Sequence, residues 1–325
     1  MKLSDMGRLV TLMTTVTLAF TGCGGTTVPL GAMTQSQAHQ ASGKSWMRPG
    51  ASSGDLIYAT GGCGGTCVLS YPDGQIVGSI STTGEGPCSD AAGNVFIPDG
   101  SQIFEYQHGG TTPIGTLTIP ESNITTYNCS VDPTTNNLAI SYLGETCICV
   151  AIFNNEGGTP TSYSTGIDSF FCGYDNAGNL FVDGLGTDQN PGIELSELAR
   201  GNSTFTPLTV SGKFRGQPGR LQWDGTNLTY EGLDAPGTHA AIIKLAISGS
   251  VATAVKTIRL NGNMRGTTLS WIYDGNVLTP YSIHSQRTNK VGIWAYPKGG
   301  KRRATLKFPN SRFWIFTGVT VSVAT

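Results

Sequence analysis

From Asp55 onward one arrangement of apolar and polar positions recurs along the chain: a short strand, a turn built on Asp and Gly-Asn, an apolar strand, a loop, a third strand, a Pro/Gly turn and a fourth strand. Apolar runs this short, bounded by turn residues, predict β-strands rather than helices. The first turns read Asp90-Ala-Ala-Gly93-Asn94, Asp132-Pro-Thr-Thr-Asn136-Asn137, Asp175-Asn-Ala-Gly178-Asn179, Asp224-Gly-Thr-Asn227 and Asp274-Gly275-Asn276, spaced 42, 43, 49 and 50 residues apart. An apolar strand follows each of them: Val95-Phe96-Ile97, Leu138-Ala139-Ile140, Leu180-Phe181-Val182, Leu228-Thr229-Tyr230 and Val277-Leu278. A period of this length is the mark of a repeat architecture built from one four-stranded unit.

The repeat is circularly permuted. Asp55-Leu56-Ile57-Tyr58 matches a second strand with no first strand before it, and Gly318-Val319-Thr320-Val321-Ser322 matches a first strand with nothing after it. Together they complete one unit and close the edges that an open array would expose. The expectation is an all-β chain, a six-bladed β-propeller over residues 54–325 in which the C-terminal strand completes the first blade.

The N-terminus is an address. Lys2 and Arg8 form a basic region, Leu9 to Phe20 an apolar stretch of signal-peptide length, and Thr21-Gly22 supply small residues before Cys23. Leu18-Ala-Phe-Thr-Gly-Cys23 resembles a bacterial lipobox, with Phe20 where Leu is usual. That resemblance implies a lipoprotein signal peptide over 1–22, lipidation of Cys23 and a cell-envelope location at the outer membrane or cell surface. The other reading is an ordinary secretory signal with Cys23 at the junction. Residues 23–53, rich in Gly, Thr, Ser, Gln and Ala, read as a flexible tether.

Composition narrows the class. Charged residues make up 13% of the chain, 45 of its 325 residues are Gly, and the formal net charge is -1. That charge offers no field for a phosphate backbone, so nucleic acid is not expected as a partner. The membrane is expected only through the lipid anchor, and the chain is read as a monomer.

The aspartates of the repeated turns are read as caps on their own backbone, through Asx hydrogen bonds. Seven cysteines follow Cys23. Cys63 and Cys67 flank a glycine-rich loop, and a Cys63–Cys67 disulfide is expected in an oxidising compartment. Cys88, Cys129 and Cys172 fall at one equivalent position of successive units. Packed sheets lie about 10 Å apart, beyond the roughly 7 Å Cα separation a disulfide tolerates, so buried thiols are expected there. Cys147 and Cys149 share a strand face from which either could reach a neighbouring unit. The spacings C-x3-C and C-x-C are not a tetrahedral zinc pairing.

No phosphate loop, nucleophile elbow or His-Glu-x-x-His helix occurs, so no catalytic residue and no metal ligand is named. The candidate binding face is built from the loops between units and the loops joining second and third strands. It comprises Asp99, Tyr127, Asp183, Phe214, Arg215, Glu231, Arg265, Tyr281, His284, Arg312 and Trp314, with Phe170, Phe171, Phe313 and His239 in the same loops. Aromatic and arginine groups beside carboxylates favour recognition.

The Asp-x-x-Gly-Asn turn followed by an apolar strand resembles the NHL repeat over residues 55–325. The resemblance implies a propeller and leaves function open, because such propellers serve as ligand-binding modules, interaction platforms and enzymes. The expected role is a non-catalytic module for a protein, glycan or small ligand, without cofactor. The alternative is a hydrolase or lyase resembling gluconolactonase-like or streptogramin-lyase-like propellers. In that reading Asp99, Asp183, Glu231 and His284 serve chemistry, with a divalent cation as cofactor.

Overall fold

The computed structural model describes residues 44–145, 147–185, 193–213, 217–262, 266–267, 269–282, 290–308 and 315–325. The segment read as a signal peptide and Cys23 lie outside them. No α-helix occurs among the described residues.

Strands β1 (Trp46–Met47), β2 (Leu56–Gly62), β3 (Gly65–Ser70) and β4 (Ile76–Ile80) belong to the first sheet, and β5 (Cys88–Ser89), β6 (Val95–Asp99), β7 (Gln102–Tyr106) and β8 (Gly115–Thr118) form the second. A third contains β9 (Thr125–Val131), β10 (Leu138–Leu143), β11 (Ile148–Asn154) and β12 (Gly157–Ser164). A nine-stranded sheet then has two halves. One comprises β13 (Ser169–Tyr174), β14 (Leu180–Leu185), β15 (Ile193–Leu198) and β16 (Thr206–Ser211). The other comprises β17 (Leu221–Trp223), β18 (Leu228–Leu233), β19 (Ala240–Ser248) and β20 (Val251–Asn261). The halves meet where Thr209–Ser211 of β16 pair in parallel with Val251–Thr253 of β20.

The last sheet holds β21 (Gly266–Thr267), β22 (Trp271–Tyr273), β23 (Asn276–Ser282), β24 (Lys290–Ala295) and β26 (Ala304–Thr305), while β25 (Gly300–Lys301) pairs with β20. The final strand, β27 (Gly318–Ser322), returns to pair antiparallel with β2, Leu56 opposite Ser322 and Thr60 opposite Gly318. This is the closure that the permuted repeat predicts.

Six clusters of buried side chains carry the packing from neighbour to neighbour. They join the first and second sheets, the second and third, the third and β13–β16, the two halves of the nine-stranded sheet, β17–β20 and the last sheet, and the last sheet and the first. The result is a propeller-like ring. Strands β27, β5, β9, β13 and β17 touch in sequence and line its axis, as β22 does against β27. From the other side β22 meets β17 through the Gln222 side chain, which bonds both backbone groups of Ile272.

The turns form as their chemistry directs. Asp90 Oδ1 accepts the Asn94 backbone N–H at 2.7 Å and Oδ2 the Asn94 side-chain amide at 2.8 Å; Asp175 treats Asn179 in the same way. Gly93 takes φ 85° there, and a Cβ would lie 2.3 Å from the Val323 carbonyl oxygen, so glycine is required on both counts.

Two features of the framework differ from the sequence reading, and one pairing it left open is now defined. Cys88 and Cys129 form a disulfide across the second and third sheets, Cα–Cα 5.5 Å, whereas buried thiols were expected. The sheet-packing distance does not apply at the axis, where the innermost strands converge and the Cys129 N–H bonds the Gly86 carbonyl. Cys172 alone of that trio stays a buried thiol. Cys147 and Cys149, whose partners the sequence left open, bridge each other. Finally, Trp46 and Met47, within the stretch read as a tether, pair with Ser79 and Gly78 of β4, and Met47 packs on the cluster of Leu56 and Val77. Two apolar residues carry no periodicity, so composition hides this edge strand. The Cys63–Cys67 disulfide is present as expected, Cα–Cα 5.1 Å.

Candidate functional site at the mouth of the ring

The second strands β10, β14, β18 and β23 carry Ser141, Asp183, Glu231 and Thr279 at one equivalent position, all buried. These groups latch neighbouring elements together. Asp183 Oδ1 accepts the Phe171 N–H at 2.9 Å, and Oδ2 the Gly219 N–H of the following unit at 2.8 Å. Glu231 Oε2 accepts the Ser270 N–H at 2.8 Å, and Oε1 the Thr279 hydroxyl at 3.0 Å. Ser141 donates to the Phe170 carbonyl at 2.8 Å. Burial pushes the Asp183 carboxyl well above the usual carboxylate range, against the lowering effect of the N–H bonds it accepts. Asp183 and Glu231 therefore sit in the interior, not on the ligand face that the sequence suggests.

Tyr281 is corrected in the same sense. It lies on β23 at 0% exposure, edge-on to Trp294 and under the Arg302 guanidinium, its hydroxyl 3.1 Å from that of Thr305. The loop expected at this position is strand.

Arg220 closes the axis just before β17. It is 3% exposed. Its Nη1 donates to the Pro87 carbonyl at 2.9 Å, Nη2 to the Cys129 carbonyl at 3.4 Å, and its guanidinium carbon lies 4.5 Å from the Trp271 ring centroid. One side chain thus ties together four inner strands, at the starts of β5, β17 and β22 and past the middle of β9. Burial pulls its guanidinium down to about 10, against the opposing influence of Cys172 and Glu231. Trp271 packs on two core clusters at once, so the centre of the ring is filled with side chains at this level.

Around that closed floor, at the end where the inner strands begin, lies a patch of mixed chemistry. Tyr127 and Phe170 are half-buried with ring centroids 5.1 Å apart, and Phe171 lies 6.3 Å from Tyr127. Glu85 is half-buried beside them; its N–H bonds the Pro98 carbonyl. Asp99 is exposed and accepts the Thr83 hydroxyl at 3.3 Å. Burial, and then the charge of Asp99, push the Glu85 carboxyl up to about 7. Burial first and then Glu85 raise the Tyr127 phenol as well. Gly86, at φ 51°, lets the chain pass where a Cβ would stand 2.3 Å from the Tyr127 carbonyl oxygen.

Of the expected face, the structure brings Asp99 and Tyr127 into this patch. Phe214, Arg215, Arg265, His284, Arg312, Phe313 and Trp314 lie outside the described residues. His239 lies in the loop between β18 and β19, its Nδ1 3.0 Å from Asp234 Oδ2. Sequence reasoning missed Glu85, Thr83, Arg220 and Trp271. The first two precede an inner strand two residues long, and no local motif marks the others. Among the described residues no three His, Cys, Asp or Glu side chains converge on a common point.

No family model matches the sequence, and no curated protein matches it. Solved structures do resemble it. A chain of a nidogen/laminin complex superposes with a TM-score of 0.60 at 17% identity, covering 84% of this chain and 100% of that one. A protein of unknown function from Bacteroides caccae gives 0.56 at 13% identity, covering 83% and 99%. A structure named as TolB from Agrobacterium tumefaciens gives 0.53 at 14% identity, covering 83% and 98%. At these identities the likeness shows the fold, a β-propeller, and nothing more.

Proposed function

We propose that this chain is a six-bladed NHL-like propeller, exported by a lipoprotein signal and anchored to the cell envelope through Cys23, where it works as a monomeric, non-catalytic binding module. The six-blade count is supported by the six inter-sheet clusters, with the nine-stranded sheet taken as two blades whose outer strands touch over three residue pairs. Export is supported by the basic and apolar start of the chain, and by three disulfides, which persist in oxidising compartments.

The observation that carries the binding role is the patch at the mouth. Glu85 and Asp99 have no ion pair among the described residues, and they stand beside the rings of Tyr127 and Phe170 above a floor sealed by Arg220. Carboxylates next to aromatic faces suit a glycan, a small cationic ligand or the basic segment of a protein. A closed floor fits capture on the rim rather than passage through the ring.

The test has two parts. Cys23→Ser should move the protein from the membrane to the soluble fraction and abolish incorporation of labelled fatty acid; unchanged membrane association would reject the anchor. A glycan and amine array probed with the wild type and with Asp99→Asn/Tyr127→Ala should show binding lost in the variant. Equal binding by both would place the site elsewhere.

A further inference from the structure

A second surface feature stands apart from the mouth. The segment after β16, the end of β20 and the turn after β24 meet around a concavity of about 430 Å3, lined by Lys213, Asp234, Thr257, Arg259, Lys298 and Gly300 among others. For a chain of net charge -1, three cations against one carboxylate is a local excess of positive charge.

The carboxylate is already saturated. Asp234 Oδ1 accepts the backbone N–H groups of Thr238 at 2.9 Å and His239 at 3.1 Å, while Oδ2 takes His239 Nδ1 and Arg259 Nε, each at 3.0 Å. Its side chain is 1% exposed. Burial alone would raise its pKa, but the N–H bonds and the imidazole together hold the carboxyl below the usual range, so it stays ionised. Asp234 therefore serves as a fixed support for Arg259. Arg259 uses only Nε in that ion pair, and its two terminal nitrogens have no protein partner among the described residues. Lys213 and Lys298 are exposed and likewise form no ion pair among the described residues. Gly300 completes the wall at φ 85°, with open space where a Cβ would stand.

A guanidinium oriented through Nε presents its remaining N–H groups as a planar fork, which matches two oxygens of one tetrahedral anion. The ammonium groups of Lys213 and Lys298, which also line the concavity, add charge without geometric demand. We infer that this concavity is a binding site for a phosphate- or sulfate-type oxyanion, held bidentately by Arg259 and flanked by Lys213 and Lys298.

The experiment uses the full chain at constant ionic strength set with potassium chloride. Tm and calorimetric binding are followed against inorganic phosphate, inorganic sulfate, a hexose phosphate and, as control, acetate. The expected result is a saturable rise in Tm with the tetrahedral anions and none with acetate. Affinity should fall at least about tenfold in Lys213→Ala/Lys298→Ala, whose side chains are exposed and whose loss should spare the fold, and in Arg259→Lys, which keeps the charge and loses the fork. Tighter binding of the hexose phosphate than of phosphate would identify an ester as the ligand; the reverse would identify the free anion. No saturable effect beyond chloride, or equal affinity in the double variant, overturns the site.

Discussion

The carboxylate of Glu231 accepts the backbone N–H of Ser270 at 2.8 Å, so a side chain of β18 fixes the point at which the chain enters the innermost strand of the next sheet. Asp183 does the same for Gly219, one step earlier round the ring. The oxygens of both groups are engaged with the protein's own donors.

Removing the Glu231 latch should therefore cost stability. Glu231→Ala leaves the Ser270 N–H buried without an acceptor, at about 1–3 kcal/mol, while the Thr279 hydroxyl keeps the Pro280 carbonyl at 3.2 Å. Glu231→Gln keeps one carbonyl acceptor and should lose about 1 kcal/mol. Urea unfolding of both variants checks this, and equal stabilities for Ala and Gln would show that the carboxylate is not a latch.

Arg220 offers a second probe of the axis. Arg220→Lys, with one ammonium in place of the fork, cannot reproduce both the donations to the Pro87 and Cys129 carbonyls and the contact over the Trp271 ring. A loss of about 2 kcal/mol is expected from the broken bonds and the weakened cation–ring contact. Trp271 emission should shift at the same time; an unchanged spectrum in a destabilised variant would mean that the ring contact is incidental.

The Cys88–Cys129 bridge spans 41 residues and links two sheets. In the chain-entropy account, cross-linking a loop of that size stabilises by about 4 kcal/mol. Cys88→Ala/Cys129→Ala should lower the unfolding free energy by that order, while Cys63→Ala/Cys67→Ala, which opens a separation of 4 residues, should cost less. Thermal scans rank the two pairs, and the reverse order would contradict the assigned roles.

Glu85 makes stability depend on pH. Its carboxyl titrates near 7 when folded, up from 4.5. The folded state therefore binds the proton more tightly, and the associated stability is full below about pH 4.5 and lost as pH rises through 7. One pKa unit corresponds to about 1.4 kcal/mol, and solvent screening of a half-buried group reduces the total to about 1–2 kcal/mol. Glu85→Gln should flatten the stability profile between pH 5 and 8 and raise Tm at pH 8. A variant that keeps the wild-type slope would assign the titration to another group.

Much of the architecture depends on interactions within a few residues and can be read directly from the chain. Asp90 reaches Asn94 four residues on, Cys63 reaches Cys67 over the same distance, and the apolar runs after the turns are short enough to favour strands. The match between Asp55–Tyr58 and Gly318–Ser322 even reveals the closure, because it compares patterns rather than distances. What surrounds the axis is different. The 5.5 Å approach of Cys88 to Cys129, the contact of Arg220 with Trp271 and the inward turn of Asp183 and Glu231 are set by how tightly the inner strands converge once the ring closes. Likewise Lys213, Asp234, Arg259 and Lys298 come from four separate segments and meet only through the packing of outer strands. Local hydrogen bonds and backbone preferences determined the strands and their turns; the curvature of the closed ring decided which side chains became structure and which were left facing solvent.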